Sequence, residues 1–188
     1  MSIFEDALQF AALAHHGMLR KRSRAPYMLH PMEVAVICGS VTDDPEILAA
    51  ALLHDTVEDA GVDPQVLLDR FGSRVAALVA SETEDAFPQL PPQDSWRLRK
   101  EASLERLRLA KDPGVPILWL GDKLSNLRSF HLEWRDKGDR VWTGLHQSDP
   151  VQQAWYYRSV RDLTAGLRHS AAWRELDHYV NEMFEGKE

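Results

Sequence analysis

Twice in the first part of the chain an aspartate stands directly before a proline at the head of an apolar run. Asp44-Pro45 opens EILAAALLHDTVEDA, and Asp63-Pro64 opens QVLLDRF. An aspartate oxygen can accept the free N–H groups of a first helical turn, and proline at the first position gives up an N–H that has no helical partner. Gly61 and Gly72 follow the two runs as stops. The first helix is therefore expected to continue to Ala60. Residues 2–16 carry apolar positions 4, 7, 8, 11 and 12 before Gly17, and Pro31 heads PMEVAVICGS, entered from His30. SRVAALVASET, SWRLRKEASLERLRLAK, VPILWLGDKLSNLRSFHLEW, AWYYRSVRDLTAGLRH and SAAWRELDHYVNEMF extend the series. EDAFPQLPPQDS is a loop by composition, too short and too closely flanked by helices to divide domains. No alternating strand pattern and no internal repeat interrupts the sequence. The expectation is an all-α fold, one domain over residues 1–188.

A run of helices can serve many functions, and composition removes some of them. The net charge of −7 argues against a general nucleic-acid coat protein, although local charge still permits an anionic small molecule. No apolar run approaches the ~20 residues of a membrane span, and MSIFEDALQF lacks the basic start of a secretory signal. The one cysteine, Cys38, excludes an intrachain disulfide framework and fits a reducing cytoplasm. The expectation is a cytoplasmic protein with neither a nucleic-acid nor a membrane partner.

His54, Asp55, Glu58 and Asp59 crowd the end of an otherwise alanine- and leucine-rich run. On a continuous helix they share one side, three carboxylates beside an imidazole, which is costly in a buried setting without positive charge. A helix-end histidine paired to its neighbour is the plain alternative. His30 should stand at a helix N-terminus, where the dipole favours a neutral ring able to bind metal. In GDKLSNLRS, Asp122, Asn126 and Ser129 share a polar face at helical spacing. Two histidines and two aspartates from three helices form a mixed nitrogen–oxygen set suited to a first-row divalent ion. Glu58 and Asp59, one turn on, could orient water and take its proton. The basic segment RKRSR, with Arg20, Lys21, Arg22 and Arg24, leads toward His30 and could hold phosphate, or be only a solvated loop. Arg97, Arg99, Lys100, Lys123 and Arg128 could add to it. WYYR at 155–158 offers rings for stacking a base, though aromatic residues on a helix are more often core.

Three segments in order carry a resemblance. AHHGMLRKRSRAPYMLHPMEVA, ALLHDTVEDA and GDKLSNLRS are similar to the motifs of the metal-dependent HD phosphohydrolases. More narrowly, they resemble the hydrolase domain of the RelA/SpoT family in its stand-alone form, the small alarmone hydrolases. The likeness runs from about residue 7 to 130 and more weakly through WYYR. It implies a compact HD-type helical bundle with one Mn²⁺ held by His30, His54, Asp55 and Asp122. It also implies that Glu58 and Asp59 position and activate the attacking water. Arg20 would face the base, Lys21 would lie near the substrate, Asn126 would line the nucleoside pocket, and Tyr156 or Tyr157 would contact the nucleotide. The implied reaction removes the 3′-pyrophosphate of ppGpp or pppGpp, giving GDP or GTP. With 188 residues, no synthetase or regulatory domain is expected. Met18 and Gly121 depart from the family's frequent Gln and Ala, and neither is a ligand position. Two other readings compete with this one: a related phosphohydrolase acting on NADPH or adenine alarmones, and a catalytically silent nucleotide sensor.

Overall fold

The structure, a computed structural model, describes residues 2–21, 23–84 and 89–187. Among these residues the chain forms nine α-helices and no β-strand. They are α1 (Ile3–Ala14), α2 (Leu29–Gly39), α3 (Pro45–Leu53), α4 (Pro64–Phe71), α5 (Ser73–Glu82), α6 (Pro92–Leu109), α7 (Gly114–Lys137), α8 (Pro150–Leu163) and α9 (Ala171–Phe184). Their beginnings follow the cap chemistry. Asp44 accepts from Glu46 N–H and Asp63 from Gln65 N–H, each with proline next in the chain, and Asp149-Pro150 repeats the device through Val151 N–H. Ser2 and Glu5 form a reciprocal capping box on α1. Among the described residues no helix is long and apolar enough to cross a membrane.

α3 lies at the centre, with α1, α2, α5 and α7 packed around it. Its alanines, Ala49, Ala50 and Ala51, are wholly buried and let neighbouring helices approach on several sides. α7, at 24 residues about 36 Å long, runs past α2 and α3 and on to α9. Its first half is buried almost all round: Leu118, Trp119, Leu120, Leu124 and Leu127 all lie inside. An aromatic layer closes the far end, where Trp142 contacts Phe130 at 5.2 Å and Phe184 at 5.4 Å between ring centroids.

α3 ends earlier than its composition suggests. It stops at Leu53, and residues 54–60 form consecutive turns. Thr56 causes the break locally: its N–H and its hydroxyl both donate to the Leu53 carbonyl, at 2.9 and 2.6 Å. A short side chain that bonds three residues back competes with the four-residue ladder of a helix. Helices α6 and α7 begin earlier than expected, at Pro92 and Gly114, because Pro92 and Pro116 sit in first turns where a missing N–H costs nothing. Within the proline-rich loop, residues 85–88 lie outside the described residues, as does Arg22 of the basic segment.

Gly121 marks the closest approach of α7 to α2. A Cβ there would come within 2.6 Å of Cys38 Sγ and 3.3 Å of the Val34 carbonyl oxygen. Gly121→Ala should therefore lower stability despite alanine's better helix propensity, since overpacking costs about 1–3 kcal/mol and the propensity gain is about 1. Denaturant unfolding should show the loss, and Cys38→Ala should remove most of it. A Gly121→Ala protein more stable than the parent, with Cys38 intact, would contradict this packing.

Candidate active site

Three elements bring the metal-type residues together. His30 occupies the first turn of α2, His54 caps the C-terminus of α3 with Asp55 next in the chain, and Asp122 projects from the buried stretch of α7. His30 Nε2 lies 3.1 Å from Asp122 Oδ1 and 3.5 Å from Asp55 Oδ2. His54 Nε2 lies 3.2 Å from Asp55 Oδ1 and 3.7 Å from Asp122 Oδ1. The ligand atoms of His30, His54 and Asp122 all fall within 4.8 Å of one another, and Asp55 borders the group with one oxygen toward each ring.

The surroundings decide which nitrogen of each ring carries the proton. His54 Nδ1 is 2.8 Å from the Ala51 carbonyl, which can only accept, so Nδ1 donates and Nε2 of the neutral ring keeps its lone pair. Ser125 donates its hydroxyl to Glu33 at 2.7 Å and so accepts from His30 Nδ1 at 2.8 Å. Glu33 is in turn held by Arg128, which forms a two-pronged pair with Glu175. Both Nε2 lone pairs thus point at the same two carboxylates. His54 Nε2 is buried and makes no hydrogen bond. Four electron-rich groups facing one another fit a divalent cation, bound by neutral imidazoles whose other nitrogens donate to fixed acceptors.

Around this centre the charges are tied down. Burial opposes ionisation of Asp122, but Lys123 and the two imidazoles outweigh it and hold its carboxyl well below the usual range. Lys123 also donates to Glu82 at 2.9 Å, and Glu82, buried on α5, has its carboxyl pushed up to about 7 chiefly by desolvation. Asn126 donates to Asp122 at 2.7 Å and stands 3.4 Å from Arg20. Tyr27 donates to Asp55 at 2.7 Å and lies against Asp59 as well. Burial, with those carboxylates adding, raises its phenol far above the ordinary value, so it remains a neutral donor. Glu58 is exposed, and desolvation with the nearby Glu84 charge raises its carboxyl. That shift makes Glu58 a stronger proton acceptor.

A cleft of about 400 Å³ opens beside the carboxylates, with Arg20, Lys21, Tyr27, Asp59, Asn126 and Phe130 among its walls. The structure thus gathers Arg20, Lys21 and Asn126 at one cavity and sets Glu58 outside its walls, where it accepts from Glu84 N–H. Tyr156 and Tyr157 are not among the walls of this cleft. Both are buried, Tyr156 against Trp96 and Tyr157 stacked on Phe184, though Tyr157 lies close enough to feel the charges of Asp122 and Arg20. Several cations are committed elsewhere: Arg97 lies over Trp155, Arg128 joins Glu33 to Glu175, and Arg99 and Lys100 both bind Glu84. Tyr27, Ser125, Glu33 and Glu82 were not legible as site residues. Tyr27 sits in the quoted APYMLH segment, but nothing in its spacing ties it to Asp55, 28 positions away.

Comparison with known proteins bears on this arrangement. A model of the HD domain matches residues 7–148. Among curated relatives, a guanosine-3′,5′-bis(diphosphate) 3′-pyrophosphohydrolase of Aquifex aeolicus is 32% identical over 137 residues, 73% of this chain and 19% of that protein. A probable GTP pyrophosphokinase of Mycobacterium leprae is 37% identical over 190 residues, covering 96% of this chain and 23% of the relative. The chain thus spans about a fifth of the length of these relatives. Among solved structures, a metazoan ortholog of SpoT that hydrolyzes ppGpp superposes with a TM-score of 0.72 at 28% identity, covering 98% of this chain and 94% of the other. A Listeria monocytogenes protein gives 0.71 at 30% identity, with 83% and 99% covered.

The site predicts a pH dependence for metal binding. Burial disfavours a charge on His54, but Asp55 and Asp122 outweigh it and raise its pKa well above the ordinary histidine value. In the metal-free protein that imidazolium stabilises the fold fully below the unfolded pKa, and the contribution is lost as pH rises through the raised folded value. A divalent ion takes over the role of the proton. The rise in unfolding temperature on adding Mn²⁺ should therefore be larger at about pH 8 than at about pH 6, because metal and proton compete for His54. Equal shifts at both values would remove His54 from the ligand set.

Proposed function

The chain belongs to the HD-domain family, and from that premise we propose that it hydrolyses the 3′-diphosphate of ppGpp and pppGpp. The products are pyrophosphate and GDP or GTP. The observation that carries this reading is the convergence of two buried imidazole lone pairs and two carboxylates beside a cleft walled by Arg20, Lys21 and Asn126. His30, His54, Asp55 and Asp122 would hold one divalent ion, Mn²⁺ by the family resemblance, the mixed nitrogen–oxygen set also suiting other first-row ions. Such an ion supplies positive charge against phosphoryl oxygens and acidifies water.

The chain's own groups do the rest. Arg20 and Lys21 meet phosphate charge at the cleft mouth, the planar guanidinium also able to lie against a purine. Phe130 and Leu145 give the cleft an apolar wall for the base and sugar. Asn126, fixed on Asp122, offers its amide to the nucleoside. Glu58 takes a proton from the attacking water, and Asp59, next in the chain, orients that water. The bond broken joins O3′ to phosphorus: the water oxygen ends in pyrophosphate, and O3′ takes up one proton from solvent as Glu58 returns to solvent the one it took from water. Glu58 and Asp59 beside the ligand set favour hydrolysis over silent binding, since a sensor has no use for a water-activating pair. The free, buried Cys38 suits the reducing cytoplasm in which we place the activity.

Glu58→Gln keeps the shape of the side chain and removes its basicity. It should bind metal and nucleotide like the parent while turnover falls roughly 10²-fold or more. Phosphorus NMR of the parent reaction should show intact pyrophosphate and GDP from ppGpp. Orthophosphate as the first product, or preferential turnover of NADPH, would replace this reading with phosphomonoesterase activity.

A further inference from the structure

We infer that Tyr27 is a positioning residue for hydrolysis, its single phenolic O–H tying the water-handling carboxylate of Asp59 to the metal-facing carboxylate of Asp55. The inference rests on the proposed role of Asp59. Asp59 is exposed and lies in a turn, outside any helix, so little in its own segment fixes its side chain. Its N–H donates to the Asp55 carbonyl at 2.9 Å, which sets the backbone but leaves the carboxylate free to rotate. Among the described residues, that carboxylate accepts from the Tyr27 hydroxyl, which also donates to Asp55 Oδ2 at 2.7 Å. One proton between two anions lowers the repulsion that would otherwise drive them apart. Among the described residues it engages one Asp59 oxygen, Oδ2, and no group engages Oδ1, which can face water.

The phenol is itself held in place on three sides. Its ring stacks on His15 with centroids 4.8 Å apart and an interplanar angle of 27°. Its edge meets His30 at 6.3 Å, and the Arg20 guanidinium lies 5.9 Å from its centroid. The Tyr27 N–H donates to the Met18 carbonyl at 2.9 Å, across a loop closed by the bridge between Leu19 and Pro26. Ring and hydroxyl therefore serve separate ends: the ring supports Arg20 at the cleft, and the hydroxyl aims Asp59.

That separation gives the test. Tyr27→Phe keeps the ring and deletes the hydroxyl, so kcat should fall roughly 10- to 100-fold while KM, Mn²⁺ content and unfolding midpoint stay close to the parent's. Tyr27→Leu, which also removes the ring, should raise KM in addition. Asp59→Asn alone should lose turnover, and adding Tyr27→Phe to it should cost at most about a further twofold, because residues acting through one another are not additive. Unchanged kcat in Tyr27→Phe, with Asp59→Asn impaired, overturns the inference and leaves the proposed function standing. Losses that multiply in the double variant, or Tyr27→Phe failing through lost metal, overturn it as well. Full activity in Asp59→Asn overturns both the inference and the role of Asp59 on which it rests.

Discussion

Two imidazole lone pairs and two carboxylates meet where α2, α3 and α7 converge, and the neutral donors beside them, Asn126 and Tyr27, reach the carboxylates. Left alone, such a cluster draws a proton onto His54 or a cation into the site. Much of the neighbouring structure follows from this requirement. The Ala51 carbonyl and the Ser125–Glu33 relay keep both Nδ1 atoms protonated, and so keep both Nε2 atoms turned inward. Lys123 takes the outer oxygen of Asp122 and shares its charge with Glu82, so the aspartate stays ionised in a buried setting. Asn126 donates to Asp122 Oδ1 and, through Arg20, carries the arrangement into the cleft.

Bringing these residues within reach requires unusually close helices. The alanines of α3 and Gly121 of α7 remove the side chains that would hold the backbones apart, and Cys38 fills the space left opposite Gly121. The early end of α3 matters equally. Had the helix continued through Ala60, Asp55 would project at a fixed helical angle from His54. The turn that begins at Thr56 lets Asp55 face both imidazoles and sends Glu58 and Asp59 to different partners, the Glu84 N–H and the Tyr27 hydroxyl.

The helices and the four metal-type residues were legible because caps, prolines and spacing are local signals. Asp44, Asp63 and Asp149 each cap the helix that their following proline begins. The end of α3 was not legible, since apolar periodicity continues past Leu53 and the competing Thr56 bond is a matter of geometry. Lys123 and Arg128 read as surface cations available to phosphate, yet one is spent on Asp122 and Glu82 and the other on Glu33 and Glu175. Apart from Asp122, next in the chain to Lys123, these partners lie 41 to 95 positions away, beyond the reach of any local pattern. Tyr27 escaped for the same reason, because its hydroxyl acts on residues that only the folded chain brings near.

How a chain of net charge −7 handles a polyanion follows from where its charges are neutralised. Exposed charges separated by more than a Debye length, about 8 Å at physiological salt, scarcely affect one another. Capture is therefore governed by the few groups lining the cleft, not by the sum over the surface. Arg74 is occupied by Asp44, Glu46 and Asp112, and Arg70 by Asp6, so these cations give little field to the site. Arg20 and Lys21 are different: among the described residues, Arg20 meets a long hydrogen bond to an amide and the face of an aromatic ring, and neither cancels its charge. The fold therefore neutralises several of its cations in structural pairs and keeps Arg20 and Lys21 where phosphate would enter. The acidic surface then disfavours loose binding of polyanions elsewhere, so the proposed substrate would be held at this cleft.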